Sequence, residues 1–269
     1  MVSIIEVTDK AQLRRFVDYP NKLYKDVPQF VPATYGDDLS DWDRSKNPAF
    51  EYCDARCWLA MRDGEIVGRI GAIHSRKAND KWGANRLRFT QVDFIDDPEV
   101  SSALFRTVEA WAKELDCTAV HGPLGFTDMD REGMLVEGFD RRSCFFTYYN
   151  YPYYIDHMAA LGYVKDVDWI EELITVPEDE ATIQRWEKIS DFVLKRHRLH
   201  IHEARNACPI CPCSSRFSSW STWPTRRCTA LWISLTARSK STPPSSRPSS
   251  IPTPPASSWM KTTAWWPSA

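Results

Sequence analysis

The chain has 269 residues with 34 basic and 36 acidic side chains, and its formal charge of −2 hides an uneven division. All 36 acids and 26 of the bases lie at or before Glu203, a segment charge of −10, whereas residues 204–269 hold eight bases and no acid. An acidic first segment without a basic stripe disfavours a nucleic-acid partner, and no apolar run reaches the roughly 18 residues that a membrane span requires.

The N-terminus lacks the basic and apolar regions of a secretory signal, so a cytoplasmic protein is expected. Cys53, Cys57, Cys117 and Cys144 have neither metal-ligand nor disulfide-framework spacing, which fits reduced thiols and no metal. About 200 residues suffice for one domain with a full core, expected over 1–203.

Ser3–Thr8 reads as a strand, and Asp9 then caps a helix whose apolar positions Leu13, Phe16 and Val17 recur toward Pro20. From Pro20 to Pro48, four prolines and Tyr24, Phe30, Tyr35 and Trp42 argue for short helices and turns packed on the core. Cys57–His74 holds two β-rich runs flanking Asp63-Gly64, a pair able to supply the positive φ angles of a tight hairpin. A further strand covers Leu87–Ile95. Asp97-Pro98-Glu99 opens a helix with Val100, Leu104, Val108, Trp111 and Leu115 on one face. Thr118–His121 is a short buried strand, Ile155–Leu161 a helix ended by Gly162, and Tyr163–Val176 strand-like. The order predicts an α/β fold with a mixed sheet.

The stretch His121–Asp140 carries glycines at 122, 125, 133 and 138 and five acids, the make-up of a loop that bends around a site. Asp128, Asp130 and Glu132 are its candidate acid–base groups; the competing reading is a solvated connection. Arg142–Tyr154 concentrates seven aromatic rings, which suit a core first and an apolar channel second.

Residues 204–269 contain no Asp, Glu, Gly or Val, ten of the 18 prolines and six tryptophans. Cys208, Cys211 and Cys213 lack a well-spaced fourth ligand for structural zinc, and simple disorder does not account for the tryptophans. Codons that begin with G encode Val, Ala, Asp, Glu and Gly, so the loss of four of these five fits translation in a shifted frame from about residue 204. A disordered tail without a packed core is expected there.

Six segments together carry a resemblance: Tyr19-Pro20-Asn-Lys-Leu-Tyr24, Asn47-Pro48-Ala-Phe50, Asp63-Gly-Glu-Ile-Val-Gly-Arg-Ile70, Phe94-Ile-Asp-Asp-Pro98, Gly122 through Phe139, and Tyr149-Asn-Tyr-Pro-Tyr-Tyr154. They resemble the bacterial ceramide synthase-like branch of the GNAT superfamily of acyl-CoA-dependent N-acyltransferases, over nearly all of residues 1–203. The resemblance implies a mixed, mostly antiparallel sheet flanked by helices, with acyl-CoA as co-substrate and a small-molecule or lipid amine, sphingoid-like, as acceptor. A lipid acceptor would add peripheral contact with the inner face of the membrane to the cytoplasmic location.

It also implies direct transfer, in which an amine attacks a thioester carbonyl, a base removes the proton and backbone N–H groups hold the oxyanion. Carried onto this chain, the bases are Asp128, Asp130 or Glu132, with His121 and His157 in reserve, and Tyr153 or Tyr154 protonates the leaving thiolate. Gly122, Gly125, Phe126, Thr127, Arg131, Phe145, Tyr149 and Asn150 would contact substrate. The plainer reading has the carboxylates capping turns or pairing with arginines and the tyrosines packing.

One place departs from the family. GNAT enzymes hold the CoA pyrophosphate on a glycine-rich turn before the helix that follows the fourth strand, but here that turn reads Asp96-Asp97-Pro98-Glu99-Val100-Ser101-Ser102. Three carboxylates repel a pyrophosphate, so a further GNAT-like half, which this chain lacks, is expected to carry the CoA site. A non-catalytic lipid- or acyl-binding fragment is therefore the alternative function.

Overall fold

A computed structural model describes residues 1–32, 35–172, 175, 177–199 and 252–262, the last for its backbone. One compact unit comprises Met1–Glu172 with Pro252–Ala269, and a second spans Leu173–Ile251.

In the first unit, β1 (Ser3–Glu6) leads through the capping box of Asp9 and Gln12 into α1 (Lys10–Leu23). After α2 (Tyr35–Asp41) and a 3-10 turn at Pro48–Glu51 come β2 (Cys53–Arg62) and β3 (Glu65–Ser75), joined through Asp63 (φ 51°) and Gly64 (φ 84°) as the Asp-Gly pair predicts. There follow α3 (Arg76–Trp82), β4 (Arg86–Phe94), α4 (Pro98–Glu114), β5 (Ala119–Gly122), β6 (Met134–Leu135), α5 (Tyr153–Ala160) and β7 (Val164–Glu172). Among the described residues the sheet has eight strands in the order β1-β2-β3-β4-β5-β8-β6, with β7 also on β8 (Pro252–Thr262). Only β4 with β5 is parallel among the described pairs, so the mostly antiparallel mixed sheet flanked by helices is present.

Alternation along β2 sends Cys53, Ala55, Cys57 and Leu59 to one face with Phe16 and Val17 of α1, and Trp58 and Ala60 to the other with Val100, Leu104, Phe105 and Val108 of α4. Each large buried side chain contributes roughly 1.5–3 kcal/mol relative to exposure, so the α4 stripe alone commits that helix to the sheet.

In β4 the alternation slips by one: Leu87 and Phe89 share a core face with Val92 and Phe94. The slip is a β-bulge, because the register passes from Gly71↔Thr90 to Arg69↔Asp93 and leaves Ile70 opposite both Gln91 and Val92. Gln91 takes φ 42° there, buried, and accepts a 3.1 Å hydrogen bond from Trp42 Nε1.

Beyond 203 the described residues are Pro252–Thr262, a strand paired with β5, β6 and β7. A ladder uses main-chain groups that any residue except proline supplies in full, and Ala256–Thr262, which pairs with β5 and β6, is free of proline. Residues 201–251 and 263–269, with the cysteines at 208, 211 and 213, lie outside the described residues. The aromatic run at 145–154 is not one layer: Tyr149 and Tyr154 are buried, while Phe145 and Phe146 are exposed.

In the second unit, α6 (Glu180–His197) starts on Asp179, whose carboxylate accepts from Thr182 N. None of its described side chains is buried.

Candidate functional site

The bulge, α2 and the loop that follows β5 meet at one open cleft of about 700 Å3. After Gly122 (φ 151°) the chain turns against Phe89, donating Leu124 N–H to Phe89 O at 2.9 Å, and then runs past the bulge. Thr127 N donates to Asp130 Oδ2 at 2.9 Å and Met129 N to Thr127 Oγ1 at 3.2 Å, so the acidic segment is closed into a tight turn. Gly125 is required because a Cβ would run into the Asp130 side chain.

Four carboxylates, Asp37, Asp38 and Asp41 from α2 and Asp130 from the loop, border this cleft, and Arg131 is the guanidinium among them. Arg131 donates to Asp38 at 2.6 Å with its guanidinium 4.9 Å over the Tyr148 ring, which fixes its position. Trp42, Phe126, Phe145 and Phe146 supply apolar wall. Burial pushes the Asp41 carboxyl up to about 6, assisted by the nearby charges of Asp130 and Asp38 and opposed by Arg131. The cleft therefore combines a cation-attracting rim, a carboxylate that exchanges a proton near neutrality and an apolar surface for a chain.

The sequence-derived candidates divide. Gly125, Phe126, Asp130, Arg131 and Phe145 line the cleft. Thr127 shapes its turn and Gly122 its entry. Asp128 is exposed outside the lining, and Glu132, beside Arg88, is held up to about 7 by burial and by Asp128 and Asp130. Tyr149 lines a small adjoining hollow that shares Asp38, Arg131 and Tyr148 with the cleft. Asn150 ties the chain together, accepting from Leu135 N at 2.7 Å and donating to Leu135 O at 3.0 Å.

Tyr153 and Tyr154 bond the backbone of Phe94, the former donating to its carbonyl at 2.6 Å and the latter accepting its N–H at 2.8 Å. His157 bridges Ser101 Oγ (2.7 Å) and Asp96 (3.0 Å), and burial with Arg88 and Arg86 lowers His121 to about 3. Neither tyrosine and neither histidine lines the cleft. Asp37, Asp38, Asp41 and Gln91 were not anticipated. Asp37-Asp38-Leu-Ser-Asp41 does carry a signal, since helical spacing of three and four places Asp41 with both earlier acids.

The turn before α4 does not fit a pyrophosphate. Asp97 Oδ1 accepts the Glu99 N–H at 2.8 Å, Pro98 offers none, and Arg62 is engaged by Asp97 at 2.7 Å and Glu99 at 2.9 Å. The anion position of this helix is filled by the chain's own carboxylate. Among the described residues, no group of three or more His, Cys, Asp or Glu side chains is placed to hold a metal, and no helix is long and apolar enough to cross a membrane.

No family model matches the chain. Protein YghO of Escherichia coli (strain K12) is 33% identical over 160 residues, 60% of this chain and 41% of that protein. A bacterial ceramide synthase of Caulobacter vibrioides is 29% identical over 168 residues, 62% of this chain and 44% of the relative. The chain thus spans under half the length of these curated relatives. Among solved structures, a tandem GNAT protein from the clavulanic acid biosynthesis pathway is similar at 14% identity, covering 66% of this chain and 53% of that one with a TM-score of 0.44. The chain is a sequence relative of a bacterial ceramide synthase, in agreement with the branch that its motifs resemble.

Proposed function

We propose that this chain forms the acceptor side of an acyl-CoA-dependent N-acyltransferase that takes a long-chain, sphingoid-like amine. The observation that carries the reading is the acidic, aromatic-walled cleft. An ammonium head is drawn to Asp37, Asp41 and Asp130, and its chain lies on Phe126, Phe145 and Phe146. An amine must lose a proton to become a nucleophile, and Asp41, near 6, or Asp130 beside it accepts that proton. The bulge leaves one residue of β4 outside the ladder, so backbone N–H groups at 91–92 are the donors assigned to a developing oxyanion. The name of the Caulobacter relative supports a sphingoid acceptor.

The carboxylate-filled turn before α4 favours a second reading for this chain, a lipid- or acyl-binding fragment without transfer. Incubation with an acyl-CoA and sphinganine, measuring free thiol and acylated amine, separates the two. Thiol release above background supports transfer, amine binding without thiol supports the second reading, and absence of both overturns the proposal.

We further take residues 1–203 as the N-terminal half of a longer architecture and 204–269 as an out-of-frame product, a reading supported by the missing residue types. Sequencing the coding DNA across codons 195–215 is expected to find another open frame that restores Gly, Val and acidic residues; a closed frame refutes it.

A further inference from the structure

A second concavity, of about 1580 Å3, lies between the β1–α1 turn, the 42–50 segment and the edge of β2. Its wall is apolar: Val7, Leu13, Leu39, Phe50, Ala55 and Cys57 line it, beside Trp42, which also borders the acidic cleft. Val7, Leu13, Leu39 and Phe50 pack against the α1-side core yet remain only partly buried, so the concavity is an unfilled extension of that core.

Its charges have the opposite sign to the cleft's. Lys10, Arg14, Arg44, Lys46 and Arg56 line it, against Glu6, Asp9 and Asp43. The acids are engaged: Asp9 accepts Ala11 N and Gln12 N, Asp43 takes Ser45 and Lys46, and Glu6 lies 4.0 Å from Arg56. Among the described residues Lys10 and Arg14 make no close ion pair, Lys10 acting on Asp43 only at longer range, and Arg44 meets only the Ala55 carbonyl and the Phe50 ring. Three cations outside any close ion pair beside an apolar trough match an anionic head on a long chain. Three acids in the same lining disfavour a polyanionic head.

We propose that this groove binds a long-chain fatty carboxylate, its chain along Leu13, Leu39, Phe50 and Ala55 and its head between Lys10, Arg14 and Arg44. The site is separate from the acceptor cleft, and the proposal does not rest on acyl transfer.

The test is calorimetric titration of the full chain with dodecanoate below its micelle concentration, with dodecanol, dodecyl phosphate and acetate as comparisons. Saturable binding of dodecanoate is expected, with the alcohol and acetate weaker by about tenfold or more. The exposed pair Lys10→Glu/Arg14→Glu should weaken dodecanoate by about tenfold while leaving the thermal midpoint unchanged. The control Arg185→Glu/Lys188→Glu on α6, which makes the same change in net charge, should not affect binding. Equal binding of dodecanol, equal loss in the control, or tighter binding of dodecyl phosphate than of the carboxylate overturns the proposal. A Leu13→Asp variant that retains the fold and full dodecanoate affinity does so as well.

Discussion

Replacing Arg69 with methionine is expected to cost about 3–5 kcal/mol of stability, the usual penalty for removing one partner of a buried ion pair. Arg69 is 2% exposed; its Nε donates to Asp93 Oδ2 at 2.7 Å, its Nη1 donates to Phe16 O at 2.8 Å, and its guanidinium lies 4.9 Å over the Phe16 ring. Tyr24 donates to the other Asp93 oxygen at 2.9 Å, lies 3.0 Å from the Tyr154 hydroxyl, and so leaves Tyr154 as the donor in that pair. The variant would leave Asp93 buried with a single tyrosine donor. Against a typical total of about 5–15 kcal/mol, that loss leaves little or no fold.

The companion Arg69→Met/Asp93→Leu removes both charges and keeps the Tyr24–Tyr154 contact, so it should recover most of the loss, as apolar replacements of whole buried pairs often do. Urea unfolding of the two variants measures the difference. An Arg69→Met protein within about 1 kcal/mol of the parent would show that the pair does not hold α1 on the β3–β4 ladder.

The same strands show what the sequence discloses. The Asp63-Gly64 turn, the Asp97-capped helix and the alternation of β2 follow from local chemistry, and all are present. The bulge is also written in the chain, as a skipped step between Phe89 and Val92, but alternation over a whole strand conceals a one-residue slip. The cleft is harder to foresee. Asp130 and Phe126 announce a bent loop, whereas Asp37, Asp38 and Asp41 sit about 90 positions earlier among prolines that suggest turns. Only tertiary packing, through Trp42 on Gln91, brings α2 over the bulge. Likewise Tyr153 and Tyr154 have the chemistry of acids, but their hydroxyls serve the Phe94 backbone because burial leaves those main-chain groups few other partners.

Substituting Asp41 with asparagine is expected to weaken the binding of sphinganine by about tenfold at pH 7.5, since a charge-assisted contact of about 1.5–3 kcal/mol becomes a neutral one. The pH dependence identifies the group. With its carboxyl near 6, Asp41 is largely protonated at pH 5 and ionised at pH 7.5, so the parent should bind the ammonium more tightly as pH rises through 6. Asp41→Asn should show a flat profile over that interval.

Stability must move the other way. A folded value of about 6 against an ordinary 3.8 means a contribution fully present below 3.8 and lost as pH rises through 6, so Asp41→Asn should remove that part of the free parent's stability slope, while the parts from Glu132, raised to about 7, and His121, lowered to about 3, remain. Titration calorimetry and thermal unfolding at matched pH read the two slopes. If both slopes are unchanged in Asp41→Asn, the titrating group is another carboxylate, Glu132 with its value near 7 being the remaining candidate, and the amine does not meet Asp41.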